Sequence, residues 1–381
     1  MFVNTSATAK KFFSGFFMLS GTVIGASFLA LPYIAIKTGL FITIGYLVFL
    51  AAVVSLIHWF YAEVAAVAPD FMRLPSYARM YLGKTGKIAA LLATLIGFCG
   101  TLLAYIIIGS SFLNNLLAPF FNGNNFLYAF LFFLFGAIAV FFGIRTVSKI
   151  NFLDAGLFLL VLVVVSICGW RAWKVSNLFI GGGLGIFSYS SANIFLPYGV
   201  ILSALWGATV IPEIEDIIGK EKKLFRKIIP WGTIAPAIFY LLFILAAGGI
   251  AGENISPEAA VGLKNHLPPL AAALIFLFGL IVVFTSYISI SLALRNTLRF
   301  DFKIKKKAAW GIACFAPFLL YLIGFRNFIG IIGFVGAIAL AIEGILIILM
   351  YNKVKNHRWL TSPLILLLAA GMLYEILCFF R

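Results

Sequence analysis

Runs of about 20 apolar residues recur along the whole chain and constrain its fold more than any other feature. A helix needs about that length to cross the hydrocarbon core of a bilayer. By this rule the sequence predicts eleven membrane spans, near residues 12–36, 40–67, 87–115, 126–143, 150–170, 186–211, 228–250, 268–297, 308–325, 328–351 and 360–380. The segments between the spans are too short for a folded domain, so we expect one transmembrane domain over residues 1–381.

Composition excludes several classes of protein. Of the 381 residues, 63% are hydrophobic and only 10% are charged, whereas a soluble domain has roughly 45–50% and 25%. A chain with so little polar surface could not cover its core in water. The sequence is therefore neither a cytosolic enzyme nor a nucleic-acid-binding domain, and an all-α polytopic membrane protein is predicted.

The basic residues predict the orientation. With the N-terminus inside, 22 of the 28 lysines and arginines fall in inner segments and six fall in outer ones. Positive residues concentrate in cytoplasmic loops, so this split supports eleven spans in the cell (inner) membrane. The N-terminus would then be cytoplasmic and the C-terminus outside, and the net charge of +16 would not mark a nucleic-acid partner.

Two spans contain glycine-bearing stretches of small residues at matching places. The first span has Gly21–Ser27 followed by Pro32, and the sixth has Ser203–Thr209 followed by Pro212. Corresponding interruptions in two halves of a chain are typical of a transporter's binding site. Unwound N–H groups can bind a carboxylate there, and unwound C=O groups can bind a cation or an ammonium group. The alternative is that these residues only allow close helix packing.

The positions of these breaks predict an inverted repeat. Spans one to five form a first repeat at about 10–170, and spans six to ten form a second at about 186–351. The eleventh span, at about 360–380, lies outside both. Because each repeat has an odd number of spans, the two halves are inverted in the membrane.

The eighth span offers ligands for a cation. Val282, Thr285, Ser286 and Ser289 lie on one helical face. Neutral hydroxyl and carbonyl oxygens suit a weakly bound monovalent cation such as Na⁺. The alternative is that the hydroxyls bond back to carbonyl groups one turn earlier.

The first third of the chain resembles a known family. Residues 21–32 read Gly-Thr-Val-Ile-Gly-Ala-Ser-Phe-Leu-Ala-Leu-Pro. This stretch is similar to one in the aromatic amino acid permeases of the tyrosine and tryptophan type. Those permeases belong to the amino acid/auxin permease group within the amino acid–polyamine–organocation superfamily. Glu63, the linker at 77–86 and Tyr105 also have counterparts there. The similarity is weaker but collinear through spans six to eight.

The resemblance implies the fold of the bacterial leucine transporter, with discontinuous helices one and six. It also implies a set of substrate-binding residues: Thr22, Gly25, Ala26, Ser27, Tyr105, Ser203, Ala204, Trp206 and Gly207. The sodium site of the fold's sodium-coupled members would be formed by the carbonyl groups of Gly21, Ile24 and Val282 with the hydroxyls of Thr285 and Ser286.

Two positions bear on specificity and coupling. The family's Phe-Gly-Phe-His-Gly-like stretch is replaced by Leu-Trp-Gly-Ala-Thr at residues 205–209, which leaves the substrate's side chain open. Some proton-coupled relatives place a lysine in helix five, but the nearest positions here, residues 155–157, read Ala-Gly-Leu. That difference favours sodium.

Glu343 is the second candidate for coupling. A carboxylate in the middle of a span is costly, and it indicates a functional residue by default. Glu343 could exchange protons, or it could be a protonated side chain bonded to a neighbouring helix. His58, deep in the second span, is expected to be a packed hydrogen-bond donor and not a proton relay.

The sequence therefore predicts a secondary transporter that imports amino acids with large hydrophobic or aromatic side chains. Coupling to Na⁺ with no other cofactor is favoured, and a proton-coupled symporter using Glu343 or an exchanger is the alternative. A membrane-embedded enzyme would need paired acids such as an Asp-x-x-x-Asp motif, or a His-Glu-x-x-His motif, and neither motif occurs. A sensor on the same fold would usually add a soluble tail. The partners expected are an amino acid and the bilayer, with the protein as a monomer.

Overall fold

The computed structural model describes residues 5–69, 72–143, 147–179, 194–219 and 222–379. Within these ranges the chain is almost entirely helical. Its α-helices are α1 (Thr5–Val23), α2 (Leu31–Thr38), α3 (Leu40–Ala65), α4 (Leu74–Phe121), α5 (Asn125–Phe142), α6 (Val147–Gly169), α7 (Leu196–Leu205), α8 (Ile211–Ile218), α9 (Lys222–Ala251), α10 (Ala260–Leu263), α11 (Pro269–Phe300), α12 (Lys306–Ile323), α13 (Phe328–Phe334), α14 (Ala341–Lys355) and α15 (Arg358–Phe379). The predicted fold class, an all-α membrane protein, is confirmed.

Eight helices in the described ranges are long and apolar enough to cross a membrane, and the bent pair formed by α1 and α2 makes a ninth. Two further predicted spans correspond to shorter apolar helices. The described apolar part of α6 runs over Gly156–Gly169, and residues 186–193 of the sixth predicted span lie outside the described residues. The count of eleven remains a prediction.

Two helices differ from their predicted spans. α4 begins at Leu74, well before the predicted start at 87, and it bends at Gly83, where φ is +78°. The left-handed conformation at Gly83 separates a short first segment from the spanning part of α4. The tenth span is also interrupted, since a wide π-helical turn at Val335–Leu340 connects α13 to α14.

Both broken spans are confirmed. α1 and the segment leading into α2 meet at an angle of 48°, and α7 ends at Leu205 before α8 begins at Ile211. Pro32 and Pro212 lie in the first turns of α2 and α8. The first N–H groups of a helix have no intrahelical acceptor, so proline starts a new helix there without losing a hydrogen bond.

The two broken spans lie at the centre of the helical bundle. α1 packs against α9, α6 and α8, while α7 packs against α3 and the π-helical turn. The crossing of α7 with that turn is very close, because a Cβ added at Gly336 would overlap the carbonyl oxygen of Gly199. Small residues permit such backbone contact between helices in a membrane. Large apolar side chains such as Phe41 and Phe142 are exposed on the outside, as expected for a surface in contact with lipid.

Candidate functional site

The first break is formed by Ile24 and Gly25. The backbone of Gly25 is extended, with φ −93° and ψ −172°, and a 3-10 turn at Ala26–Ala30 follows it. The Ile24 N–H donates to the Ser20 carbonyl at 2.9 Å, and the Gly25 N–H donates to the Val23 carbonyl at 2.7 Å. A Cβ at Gly25 would lie 3.3 Å from the Tyr105 hydroxyl oxygen. Tyr105, expected at the substrate site, therefore adjoins this break.

The second break is formed by Trp206 and Gly207. Trp206 has extended backbone angles, and Gly207 has φ −136° and ψ 15°. The Gly207 N–H donates to Nε2 of His58 at 3.1 Å. Because that nitrogen accepts, the ring proton of neutral His58 is on Nδ1, which donates to Oγ1 of Thr233 at 3.2 Å. Thr233 in turn donates to the Ile229 carbonyl at 3.1 Å. His58 thus accepts a hydrogen bond as well as donating one.

Hydroxyl groups join the two breaks. The Oγ atoms of Ser27 and Ser203 lie 3.1 Å apart. The hydroxyl of Tyr240 on α9 lies 2.8 Å from the Val23 carbonyl oxygen and 3.0 Å from that of Ala204. The structure therefore brings together residues from predicted spans one, three and six, as a substrate site between broken helices requires.

The remaining predicted substrate residues lie along the same segments. Thr22 is in the last turn of α1, and its hydroxyl donates to the Met18 carbonyl at 2.8 Å. Ala26 and Ala204 are buried. A Cβ at Gly207 would lie 2.8 Å from side-chain carbons of Leu19 and Val23, so α1 passes directly over the second break.

The residues predicted to bind sodium are divided between α1 and α11. The Thr285 hydroxyl oxygen lies 2.9 Å from the carbonyl oxygens of both Ile281 and Val282, and its single proton is donated to one of them or shared. This is the back-bonded geometry that the sequence left open, although the hydroxyl oxygen retains lone pairs for a cation. Val282 and Ala26 line the same small cavity, which brings this part of α11 to the first break. Ser286 is half-buried on the same helix. Gly21 is in the last turn of α1, and Ile24 is the first residue of the break.

Glu343 is bonded to the second break. Its side chain is only 4% exposed. One carboxylate oxygen accepts from the Thr94 hydroxyl at 3.0 Å, and the other accepts from the indole N–H of Trp206 at 3.1 Å. A buried carboxylate needs such donors. Glu343 also lines a cavity of about 100 Å³ that includes Tyr61, Arg73, Thr94, Glu213 and Thr297.

Sequence reasoning missed Thr94, Thr233 and Tyr240, and it assigned His58 no role at the site. Each is a polar residue within an apolar span, which is a weak signal because many such groups bond back to their own helix. Their partners are distant in sequence. The bond from Tyr240 to Val23 joins residues 217 positions apart.

The sequence model of the tryptophan/tyrosine permease family matches residues 8–371. Tyrosine-specific transport system 1 of Haemophilus influenzae is 25% identical over 84% of this chain and 82% of its own length. Glutamine transporter 2 of Aliivibrio fischeri is 22% identical over 86% of this chain and 85% of its own length.

Solved structures share the fold. MhsT in complex with L-phenylalanine has a TM-score of 0.66 at 15% identity, over 96% of this chain and 97% of MhsT. Mhp1, a nucleobase-cation-symport-1 family transporter, has a TM-score of 0.65 at 15% identity, over 97% of this chain and 91% of Mhp1. A manganese transporter from Eremococcus coleocola has a TM-score of 0.69 at 13% identity, over 98% of this chain and 86% of that protein.

The chain belongs to the tryptophan/tyrosine permease family, and its fold is that of the leucine transporter. The predicted family and fold are confirmed. The protein is a multi-pass membrane transporter and not an enzyme.

Proposed function

We propose that this member of the tryptophan/tyrosine permease family imports amino acids with large hydrophobic or aromatic side chains, driven by a cation gradient with Na⁺ favoured. Family membership makes the protein a secondary transporter of amino acids. The location of the site is inferred from one observation: the two breaks meet, with the Ser27 and Ser203 hydroxyls in contact. Substrate would be held between them.

The choice of substrate side chain rests on the family and on Tyr105. One relative is named for tyrosine transport and another for glutamine transport, so the named substrates of the relatives include both aromatic and polar side chains. Tyr105 lies at the first break, where its hydroxyl oxygen would be 3.3 Å from a Cβ at Gly25. The second break offers a different environment, because the Trp206 indole is bonded to Glu343.

The proposed mechanism follows from the unwound segments. N–H groups near Gly25 would bind the substrate carboxylate, and nearby carbonyl groups would bind its ammonium. Na⁺ would bind between the end of α1 and the face of α11 that carries Thr285 and Ser286. That cation would order the first break, and the bundle of spans one, two, six and seven would then rock against the other helices. This bundle comprises α1, α2, α3, α7, α8 and α9. A cytoplasmic N-terminus, an external C-terminus and a monomeric state are part of this proposal.

Uptake into proteoliposomes tests the proposal. A panel of labelled amino acids, including phenylalanine, tyrosine, tryptophan, leucine and glutamine, is offered with Na⁺ and pH gradients imposed separately. We expect uptake of the aromatic members to depend on an inward Na⁺ gradient, and Thr285→Ala and Ser286→Ala to weaken that dependence before they alter selectivity. Uptake that is unchanged when choline replaces Na⁺ at a clamped pH would contradict sodium coupling.

Proton coupling through Glu343 is the second candidate, because the carboxylate is bonded to a residue of the second break. Glu343→Gln keeps the shape of the side chain but removes its ability to ionise. Under proton coupling, the variant would lose uptake driven by a pH gradient and would retain exchange of internal for external substrate. Uptake by wild type that occurs only with substrate on the opposite side would instead favour an exchanger.

A further inference from the structure

Helix α9 is bonded to both breaks. Tyr240, which is fully buried, places its hydroxyl within 3.0 Å of two backbone carbonyl groups. Val23 ends α1 immediately before the first break, and Ala204 lies in the last turn of α7 before the second. A tyrosine hydroxyl has one proton, so Tyr240 donates to one carbonyl at a time or shares the proton between both.

Two helical turns earlier, Thr233 on the same face of α9 reaches the second break through His58. The hydrogen bonds run in one direction, from the Gly207 N–H to His58, from His58 to Thr233, and from Thr233 to the Ile229 carbonyl. Thr233 and His58 are both 0% exposed. Gly207 thus has a side-chain acceptor in place of a helical one.

We propose that Tyr240, Thr233 and His58, together called the α9 clamp, are positioning residues that hold the two unwound segments in one arrangement. Buried peptide groups that leave a helix need other partners in a membrane, and the α9 clamp supplies them from α9 and α3. The clamp links four helices, so α1, α3, α7 and α9 would move as one body with the substrate site intact. This inference rests on the proposed function for its link to transport.

The chain offers matched controls for each member of the clamp. Tyr128 on α5 is 1% exposed, and its hydroxyl has no hydrogen-bond partner in the described part of the chain. Tyr128→Phe therefore removes the same atom as Tyr240→Phe but breaks no bond. Thr233→Val removes the hydroxyl at nearly constant volume, whereas Thr233→Ser retains it and would restore the link to His58.

The first measurement is uptake kinetics in proteoliposomes. We expect Tyr240→Phe and Thr233→Val each to raise KM about tenfold, since each leaves a buried polar group at a break without its partner. Tyr128→Phe and Thr233→Ser should remain near the wild-type KM. If Tyr240→Phe and Thr233→Val both keep the wild-type KM, the α9 clamp does not position the site.

The second measurement is hydrogen exchange of the purified protein in detergent, which needs no substrate. The variants that break the clamp should speed amide exchange in peptides that cover residues 24–27 and 206–208. Exchange along α9 itself should be unchanged. Acceleration spread along α9 would mean a general packing defect and would overturn the proposal. If wild type transports no amino acid, the proposed function fails, while the exchange pattern still decides whether the clamp holds the breaks.

Discussion

The two breaks resemble each other in sequence but differ in what holds them. Hydroxyl groups contact the first break: Tyr105 lies beside Gly25, Tyr240 bonds to Val23, and Ser203 bonds to Ser27. The second break shares Tyr240, but it is also bonded to an imidazole and, through the Trp206 indole, to a carboxylate. A carboxylate that can bind a proton is therefore bonded directly to the second break.

This difference separates two roles within one site. Neutral hydroxyls keep the first break in a geometry that does not depend on protonation, which suits recognition of a zwitterionic amino acid. His58 accepts from Gly207 through the same nitrogen that would be protonated in an imidazolium ion. Full burial disfavours the charged imidazolium ring, so this bond should persist, whereas a proton on Glu343 would change its pairing with Trp206. Under the proposed function, the first break would mainly recognise substrate, and the second would respond to protonation of Glu343.

The largest effect is expected where the backbones of α7 and the π-helical turn cross. A Cβ at Gly336 would overlap backbone atoms of Gly199. Backbone atoms within a helix cannot move aside as the end of a flexible side chain could. Gly336→Ala should destabilise the fold by about 3 kcal/mol or more, because the two helices would have to separate to admit the added methyl group. The apparent melting temperature in detergent measures this effect.

Gly45→Ala on α3 is the control for that substitution, since a Cβ there meets nothing within 4 Å. It should leave the melting temperature unchanged or slightly higher, because alanine is the better helix former. If Gly336→Ala matched Gly45→Ala in stability and uptake, the close crossing would have no part in positioning the second break.

A smaller but specific effect is expected from Trp206→Phe. This change removes the donor to a buried carboxylate, and a lost bond of this type is worth about 1.5–3 kcal/mol. Uptake should fall roughly tenfold to a hundredfold, and its pH dependence should shift because Glu343 has lost one partner. Initial rates across a pH series at fixed Na⁺ provide the measurement.

Trp310→Phe is the matched comparison. The Trp310 indole donates to the Ala137 carbonyl at 2.9 Å, between α12 and α5, so the change removes a similar bond away from both breaks. Trp310→Phe should reduce the stability of the fold without shifting the pH dependence of uptake. A profile that moves equally in both variants would argue against a special role for the second break.

A substitution at the first break should instead change the affinity for substrate. Any residue can adopt the extended backbone angles of Gly25, and an added Cβ would lie 3.3 Å from the Tyr105 hydroxyl. Gly25→Ala should therefore leave the melting temperature nearly unchanged and raise KM about fivefold. The added methyl group crowds the proposed carboxylate pocket. The double variant with Tyr105→Phe relieves that crowding and should recover part of the loss, and no recovery would place the pocket elsewhere.

The smallest effect is expected for the serine pair that joins the breaks. A double-mutant cycle with Ser27→Ala and Ser203→Ala should give a coupling energy of about 0.5–1.5 kcal/mol, as for a neutral hydrogen bond. Measured from substrate affinity, this coupling should not vary with pH. A pH-dependent coupling energy would mean that the hydroxyl contacts between the breaks also respond to protonation, which would contradict the proposed difference between the two breaks.

The broken helices could be predicted from the sequence because local residues cause them. Glycine and small residues weaken the helix at residues 21–27 and 203–209, and a proline follows each stretch. The structure places the unwound residues, 24–25 and 206–207, inside those windows. The start of α4 was predicted too late, because a hydropathy criterion does not recognise a helical segment that lies before a bend at Gly83.

The partners of the breaks could not be predicted, because they come from helices distant in sequence. Trp206 and Glu343 are 137 residues apart, and Gly207 and His58 are 149 residues apart. The sequence marked Glu343 as unusual through the cost of burying a carboxylate, but no local pattern names the donors that offset this cost.

By itself the sequence determined the all-α membrane class and the positions of the two breaks, since apolar length and backbone propensity act within a few residues of the chain. It also identified the family. The tertiary structure decided which groups bond to each break. That outcome depends on how closely the helices cross: the glycines at 199 and 336 let α7 approach the π-helical turn, and the packing of α9 against α1 and α3 brings Tyr240 to both breaks.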